Sequence, residues 1–191
     1  LDEGDELVFV MHTYGDADLI LATHEGSAAR FSEAAVRPLG RTARGVRGVK
    51  LREGDFVVGA TIVDDSKQLI TVTENGYGKR CEFKDFTRHG RGGQGMIGIK
   101  GADRNGAVVA AHAVSDDESV ISITSDQQMV RSAVSDFSVQ GRMAQGVKLV
   151  RLSDGATLVS VSVCDAEESG DQAPQGEAFE SPAVGTAAED A

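Results

Sequence analysis

The chain repeats itself. Residues 1–50 align on 51–100 without a gap, and residues 101–151 follow with one residue inserted. Arg30, Arg80 and Arg131 correspond, as do Gly40, Gly90 and Gly141, then Arg41, Arg91 and Arg142. The best-matched blocks are Gly45-Val46-Arg47-Gly48-Val49-Lys50, Gly95-Met96-Ile97-Gly98-Ile99-Lys100 and Gly146-Val147-Lys148-Leu149-Val150-Arg151. A fourth copy begins at Leu152 and stops after one strand, near Val163. A fixed period of this length means one small supersecondary unit used repeatedly, with a core that forms only when the copies stack.

Within each copy the apolar period is two, the signature of strands. It is clear in Leu69-Ile70-Thr71-Val72-Thr73 and its counterparts Leu19–Thr23 and Val120–Thr124. In this pattern Ile70 and Val72 face one way and the threonines the other. Asn75-Gly76 follows at once and predicts a type I′ hairpin turn, with positive φ at both central residues. Glu25-Gly26 and Asp126-Gln127 hold the same place. A second strand set recurs at Leu7–Met11, Phe56–Val63, Ala107–Val114 and Ala156–Val163, and the blocks ending in Lys50, Lys100 and Arg151 supply a third. The only helical feature expected is a turn around Ser32–Val36 and its equivalents.

Each copy is therefore a small antiparallel sheet that cannot bury its own faces. Stacking such sheets around an axis buries them, which is the logic of a β-propeller. The expected fold is all-β, an arc of three blades with repeats at 1–50, 51–100 and 101–151, completed by one strand at 152–163. A closed ring takes ~4–8 blades, so the arc is a part of one. Leu1 in place of a starting methionine points to sequence removed upstream.

The net charge of −11 is unevenly spread. Residues 165–191 hold eight acids and no Lys or Arg, and with this composition residues 164–191 read as a disordered acidic tail, solubilising or competing with a polyanion for the basic surface. Residues 25–52, 79–104 and 131–151 contain 18 of the 19 basic residues and only six acids. Each copy thus has an acidic and a basic half, and radial repetition sets equivalent positions in rows. Arg30/Arg80/Arg131 and Arg41/Arg91/Arg142 are expected to line one rim, a curved match for duplex DNA. The candidate DNA-contacting set is Arg30, Arg41, Arg44, Arg47, Lys50, Lys79, Arg80, Arg91, Lys100, Arg131, Arg142 and Lys148, with Gly92 and Gly93 letting the backbone approach a phosphate. Backbone binding by counterion release needs no base readout. With no Trp and only Tyr14 and Tyr77, the chain offers no aromatic platform for single strands.

Other chemistries are weaker. Gly90-Arg91-Gly92-Gly93-Gln94-Gly95 contains G-x-G-x-x-G, yet no βαβ unit surrounds it and no helix follows to meet a pyrophosphate. Cys81 and Cys164 are too few and too far apart for a metal motif or a disulfide framework and read as idle thiols. Asp64-Asp65 and Asp116-Asp117-Glu118 read as turn carboxylates, not metal ligands. No window approaches the ~18 apolar residues of a membrane span, so a cytoplasmic protein without a membrane partner is expected, and the DNA-matching basic rim adds association with the chromosome.

Three segments carry a family resemblance: Thr73-Glu74-Asn75-Gly76-Tyr77-Gly78-Lys79-Arg80, Gly40-Arg41-Thr42-Ala43-Arg44-Gly45-Val46-Arg47-Gly48 and Gly141-Arg142-Met143-Ala144-Gln145-Gly146-Val147. Over residues 1–163 the chain resembles the C-terminal domain of the A subunit of bacterial DNA gyrase, and more distantly that of topoisomerase IV. The resemblance implies a six-bladed β-pinwheel with strands exchanged between blades, wrapping duplex DNA on its basic rim. It implies an ATP-dependent type IIA topoisomerase that introduces negative supercoils, with ATP and Mg acting in the holoenzyme. The partners it implies are the gyrase B subunit plus a second copy of the gyrase A chain. The cleaving tyrosine and the ATP site are expected elsewhere, so this stretch needs no cofactor, and Tyr14 and Tyr77 read as structural. The family's first-blade box, Gln-Arg/Lys-Arg-Gly-Gly-Arg/Lys-Gly, has a degenerate counterpart at 89–95, where His89, Gly90 and Gln94 depart from it and Arg91 and the glycines match. The box itself is expected upstream, which implies binding with incomplete wrapping by this stretch. The reading from another class is a propeller-type protein-interaction scaffold, which a hydrophobic patch on a blade face together with a scattered rim potential would favour.

Overall fold

The computed structural model of the chain describes residues 3–100 and 102–165. The strands are β1 (Asp18–Thr23), β2 (Ser27–Ser32), β3 (Val57–Ile62), β4 (Gln68–Thr73), β5 (Tyr77–Glu82), β6 (Met96–Ile97), β7 (Val108–Val114), β8 (Glu118–Thr124), β9 (Met129–Ala133), β10 (Val147–Lys148) and β11 (Leu158–Asp165). The expected helical turns are single 3-10 turns at Glu33–Ala35, Phe83–Asp85 and Val134–Asp136, and one α-helical turn spans Ala102–Asn105. Cys164 and Asp165, read from sequence as the start of the tail, finish β11. The rest of that tail lies outside the described residues.

The strands form three antiparallel sheets, ordered β3-β1-β2-β6, β10-β5-β4-β7 and β11-β8-β9. Each of the first two mixes neighbouring repeats. β3 and β6 belong to the second copy and flank the β1–β2 hairpin of the first; β7 and β10 belong to the third and flank β4–β5. This exchange corrects the expectation of a strand at Leu7–Met11 and of a third strand in the Val46 block. Both segments are counterparts of strands that pair with a preceding hairpin, and neither has such a partner among the described residues. Leu7 and Val10 are accordingly 71% and 82% exposed.

The middle sheet is covered on both sides. Leu69 joins Ile20, Ala22, Ala28, Cys81, Phe83, Phe86 and Ala111 on the first-sheet side. Ile70 and Val72 join Val114, Val120, Val134, Phe137, Leu158 and Val161 on the third-sheet side. Thr71 and Thr73, expected to face outward, are therefore buried too. The period of two holds, but both of its faces are core. Each fully buried Ile, Leu or Phe here contributes ~1.5–3 kcal/mol relative to exposure.

The hairpin turns also depart from expectation. Gly76 has φ +76°, whereas Asn75 is not among the positive-φ residues. The Gly76 amide donates to the Thr73 carbonyl (2.9 Å), as Gly26 does to Thr23 (2.9 Å) and Gln127 to Thr124 (3.0 Å). One left-handed residue after a tight turn closes the hairpin, as in the three-residue loop with a bulge. A Cβ on Gly76 would collide with the Val150 carbonyl of the next repeat, and one on Gly26 would press on Ile99. Gln127 fills the same place in the third copy at φ +65°, where no following repeat packs among the described residues.

Candidate nucleic-acid interface

The loop before each exchanged strand lies against the preceding repeat. The His89 amide donates to the Arg30 carbonyl (2.9 Å) and the Gln140 amide to the Arg80 carbonyl (2.8 Å), so both loops start from the same register. Loop then bonds to loop: Gly92 N donates to Gly48 O (2.7 Å), and Lys50 N donates to Gly93 O (2.8 Å). Arg91 Nη1 donates to the Arg47 carbonyl (2.5 Å) and its Nε to Ala35 O (3.3 Å). Arg142 Nη1 makes the matching bond to the Ile97 carbonyl (2.7 Å). Arg47 and Ile97 are equivalent positions, so the repeated arginine is a latch between neighbours. Loops 37–52, 86–100 and 137–152 are thereby joined into one strip.

The strip contains 12 basic residues and no acid. Ten of the twelve are exposed: Arg37, Arg41, Arg44, Arg47, Lys50, Arg52, Arg88, Lys100, Lys148 and Arg151; Arg91 and Arg142 are half-buried by their latches. The first loop supplies six of the twelve. Acids from outside the strip reach it: Glu25 pairs with Arg52 (3.3 Å), Asp18 pairs with Arg88 (3.2 Å), and Asp5 lines the same hollow as Arg44, Arg47 and Lys50. Gly92 and Gly93 join the loops to each other through their backbones. The glycine-rich segment leads into β6 rather than a helix, which removes the dinucleotide-loop geometry.

Arg30, Arg80 and Arg131 do not form a rim row. Arg30 lies against Asp18 (Nη2 to Oδ2, 2.9 Å) and donates to Phe83 O (3.0 Å). Arg80 is 5% exposed, donates from Nε to Phe137 O (2.6 Å) and from Nη1 to Gln68 Oε1 (3.3 Å), and pairs with Asp116. Arg30 thus reaches the 3-10 turn of the following repeat, and Arg80 the residue just after the equivalent turn. Arg131 has no such repeat to enter among the described residues, is exposed, and donates to Asp165 O (2.5 Å). The cause is strand parity. Arg30 pairs across the ladder with Ile20 and Arg80 with Ile70, and residues directly opposite share a face.

Lys79, also on the candidate list, is fully buried. Its Nζ donates to the carbonyls of Gly141 (3.1 Å), Ala144 (2.9 Å) and Arg142. Burial pulls its pKa down, with neighbouring Cys81 and Asp85 opposing the shift; the same burial pushes the Cys81 thiol up. Both thiols are free. In the acidic half, Asp64 accepts from Ser66 N (2.9 Å) and Oγ (2.6 Å), and Glu118 pairs with Lys67 (2.8 Å). No group of three or more His, Cys, Asp or Glu side chains among the described residues could hold a metal ion. No helix among them is long and apolar enough to cross a membrane.

Sequence reasoning passed over Arg37, Arg52, Arg88 and Arg151, all exposed on the strip, and Arg104 beside it. Arg104 lies over the Tyr77 ring (4.6 Å) and donates to Gln145 O (3.3 Å) and Gly146 O (3.2 Å), which gives Tyr77 a structural place. The signal was the run of residues free of acids, not the repeat position alone.

A family model described as "DNA gyrase C-terminal domain, beta-propeller" matches residues 17–64, 67–115 and 118–165. The chain is similar to the DNA gyrase A subunit of Aminobacterium colombiense, 41% identical over 90% of this chain and 21% of that protein. It is similar also to the DNA gyrase A subunit of Chlamydia pneumoniae, 42% identical over 92% of this chain and 21% of that one. The chain thus spans about a fifth of these curated relatives. Among solved structures, a DNA gyrase A C-terminal domain superposes with TM-score 0.72 at 35% identity, over 79% of this chain and 52% of that one. A topoisomerase IV C-terminal domain superposes with TM-score 0.82 at 24% identity, over 88% of this chain and 53% of that one, which is a likeness of fold.

Proposed function

For a chain that belongs to the DNA gyrase C-terminal domain, beta-propeller, family, we propose that its own work is to hold duplex DNA by its backbone and bend it along the acid-free strip. The observation that carries this is the loop-to-loop bonding of 37–52, 86–100 and 137–152, which brings together twelve cations from three repeats in segments whose own sequence holds no carboxylate. Charge without base-reading elements favours affinity that is uniform across sequences and steep in salt. Bending a short duplex costs ~1–6 kcal/mol, so contacts from all three loops must act together.

In this reading the domain serves the gyrase A chain of an ATP-dependent type IIA topoisomerase, presenting bent DNA so that strand passage adds negative supercoils. The second gyrase A chain, the gyrase B subunit, ATP and Mg act through other parts of that assembly, in the cytoplasm on the chromosome. The identity of 41–42% to gyrase A subunits favours gyrase over topoisomerase IV, with which the likeness is one of fold.

The test is a topology measurement. The 191-residue chain is bound to relaxed closed-circular DNA, a type I relaxing enzyme is added, and the linking number is read after deproteinisation. A shift of one sign that grows with protein and vanishes at high salt is expected. An unchanged linking number, or binding confined to one sequence in a duplex panel, would overturn the proposal.

A further inference from the structure

Each junction between repeats is made at a hairpin turn. The Gly26 carbonyl accepts from the amides of Gly98 (2.8 Å) and Ile99 (3.3 Å) of the second repeat, and the Gly76 carbonyl accepts from those of Leu149 (2.8 Å) and Val150 (3.1 Å) of the third. The same hairpins take the exchanged strand on their outer edge, with Ala28 opposite Met96 in β2–β6 and Gly78 opposite Val147 in β5–β10. Docking a repeat therefore brings its backbone directly against the turn residue of the hairpin before it.

A side chain at that turn would prevent the approach. A Cβ on Gly76 would stand 2.5 Å from the Val150 carbonyl oxygen, and one on Gly26 would stand 3.3 Å from both the carbonyl oxygen and Cγ2 of Ile99 and 3.7 Å from Val108. At both junctions it points at the equivalent residue of the docked repeat, so the further atoms of a longer side chain would run into that repeat. The third hairpin carries Gln127 at this place, the one non-glycine residue at positive φ among the described residues (+65°, against +83° for Gly26 and +76° for Gly76). Glycine is the ordinary choice for that conformation. The shape of the turn is thus kept while the space before it is filled. Among the described residues β9 ends its sheet, ordered β11-β8-β9, and Met129, the counterpart of Ala28 and Gly78, is 68% exposed.

We propose that the third hairpin is a stop: the Gln127 side chain fills the place where a following repeat would dock, so β9 takes no exchanged strand from a further repeat or from the Gly45–Lys50 block of a second copy. That block is the counterpart of 95–100 and 146–151, and in a head-to-tail pair its Gly48 and Val49 amides would have to donate to the Gln127 carbonyl. Repeat arrays need ends that do not propagate, and an open edge strand is otherwise a template for association. The inference stands apart from the DNA reading. Where that reading holds, each junction adds one loop to the basic strip, and the strip ends at 137–152.

The experiment is amide-resolved hydrogen exchange on the 191-residue chain and on two variants that move the stop inward. Gly76→Gln should lose the protection of the Leu149 and Val150 amides, and Gly26→Gln that of Gly98 and Ile99, while the β4–β5 and β1–β2 hairpins stay protected. A folded variant in which those amides keep their protection would overturn the stop, because the turn would then admit both a side chain and a docked repeat. The parent chain decides the matter even where a variant folds poorly. Over a concentration series its exchange at Gly48, Val49 and β9 should stay constant. Protection that rises with concentration at Gly48 and Val49 together with β9 would show copies joining head to tail at this edge, and would overturn the proposal.

Discussion

Removing three exposed cations, Arg47→Ala, Lys50→Ala and Lys148→Ala together, should change how affinity depends on salt more than it changes anything about the fold. These side chains are exposed on the strip, Lys148 with its Nζ 5.8 Å from the Tyr77 ring centre, and none is in an ion pair among the described residues. If all ten exposed strip cations met phosphates, the slope of log K against log salt would reach a ceiling of about −9, at about 0.9 per neutralised phosphate. Losing three lowers it by about 2.7, so between about 50 and 200 mM salt the parent should lose about fortyfold more affinity than the variant. Fluorescence anisotropy on a labelled duplex at several salt concentrations, repeated on a second sequence, measures this. Arg80→Ala serves as the counterpart, because Arg80 is 5% exposed and bonded to Phe137 O inside the sheet stack. It should leave the slope of the folded protein unchanged. A triple variant with the parental slope, or an Arg80 variant that flattens it, would refute the division between surface and internal cations.

Three stability changes follow from the same packing. Arg80→Ala strands the Phe137 carbonyl in the core and should cost about 2–3 kcal/mol in urea unfolding, with Asp116, 74% exposed, adding little. Gly146→Ala should cost about 2 kcal/mol or more, because the residue sits at φ +81° and a Cβ would overlap the Gly78 carbonyl beneath β10; Gly155→Ala, at φ +78° in open space, should cost about 1 kcal/mol by the same assay. For Glu118, burial raises the pKa, but hydrogen bonds from Lys67 and Ser115 outweigh it and hold the carboxyl below its ordinary value. Its contribution is complete above the unfolded pKa of about 4.3 and is lost as pH falls through the lower folded value. Lys67, raised chiefly by its bond to Glu118, contributes fully below its unfolded pKa and loses that only as pH rises through the folded one. Glu118→Gln should therefore cost about 1 kcal/mol near neutral pH and nearly nothing below the folded pKa of Glu118, read as unfolding free energy against pH.

The repeat made the architecture legible: three copies, strands of period two, helical turns at one fixed place, and a neighbour's strand completing each sheet. What it could not supply was direction. Equivalent positions lie at equivalent radius, and from that alone Arg30/Arg80/Arg131 and Arg41/Arg91/Arg142 look alike. The first row lies on strands, where parity decides. Arg80 stands opposite Ile70 in the ladder, and Ile70 is fully buried, so the guanidinium must enter the core and find carbonyls there. The alternation in Leu69–Thr73 would have exposed this had it been carried across the hairpin. The second row lies in loops, where no periodicity governs orientation, and its latch onto the preceding loop depends on contacts a whole repeat apart.

The same distinction explains why the strip works as a surface. Strand cations are spent between sheets, Arg30 and Arg80 each tying one repeat to the next. Latch arginines hold adjacent loops at fixed spacing. What then faces outward is the set that neither task consumes, and it carries no acid because the carboxylates sit with the hairpins of the opposite half, as Asp64, Asp117 and Glu118 do. A chain with an overall charge of −11 can thus present a predominantly positive face. A polyanion laid along it would meet guanidinium and ammonium groups within the ~8 Å over which physiological salt leaves charge visible, with Glu25 and Asp18 already engaged by Arg52 and Arg88. Net charge is a poor guide to partner here, and the sorting of charge by strand and loop is the better one.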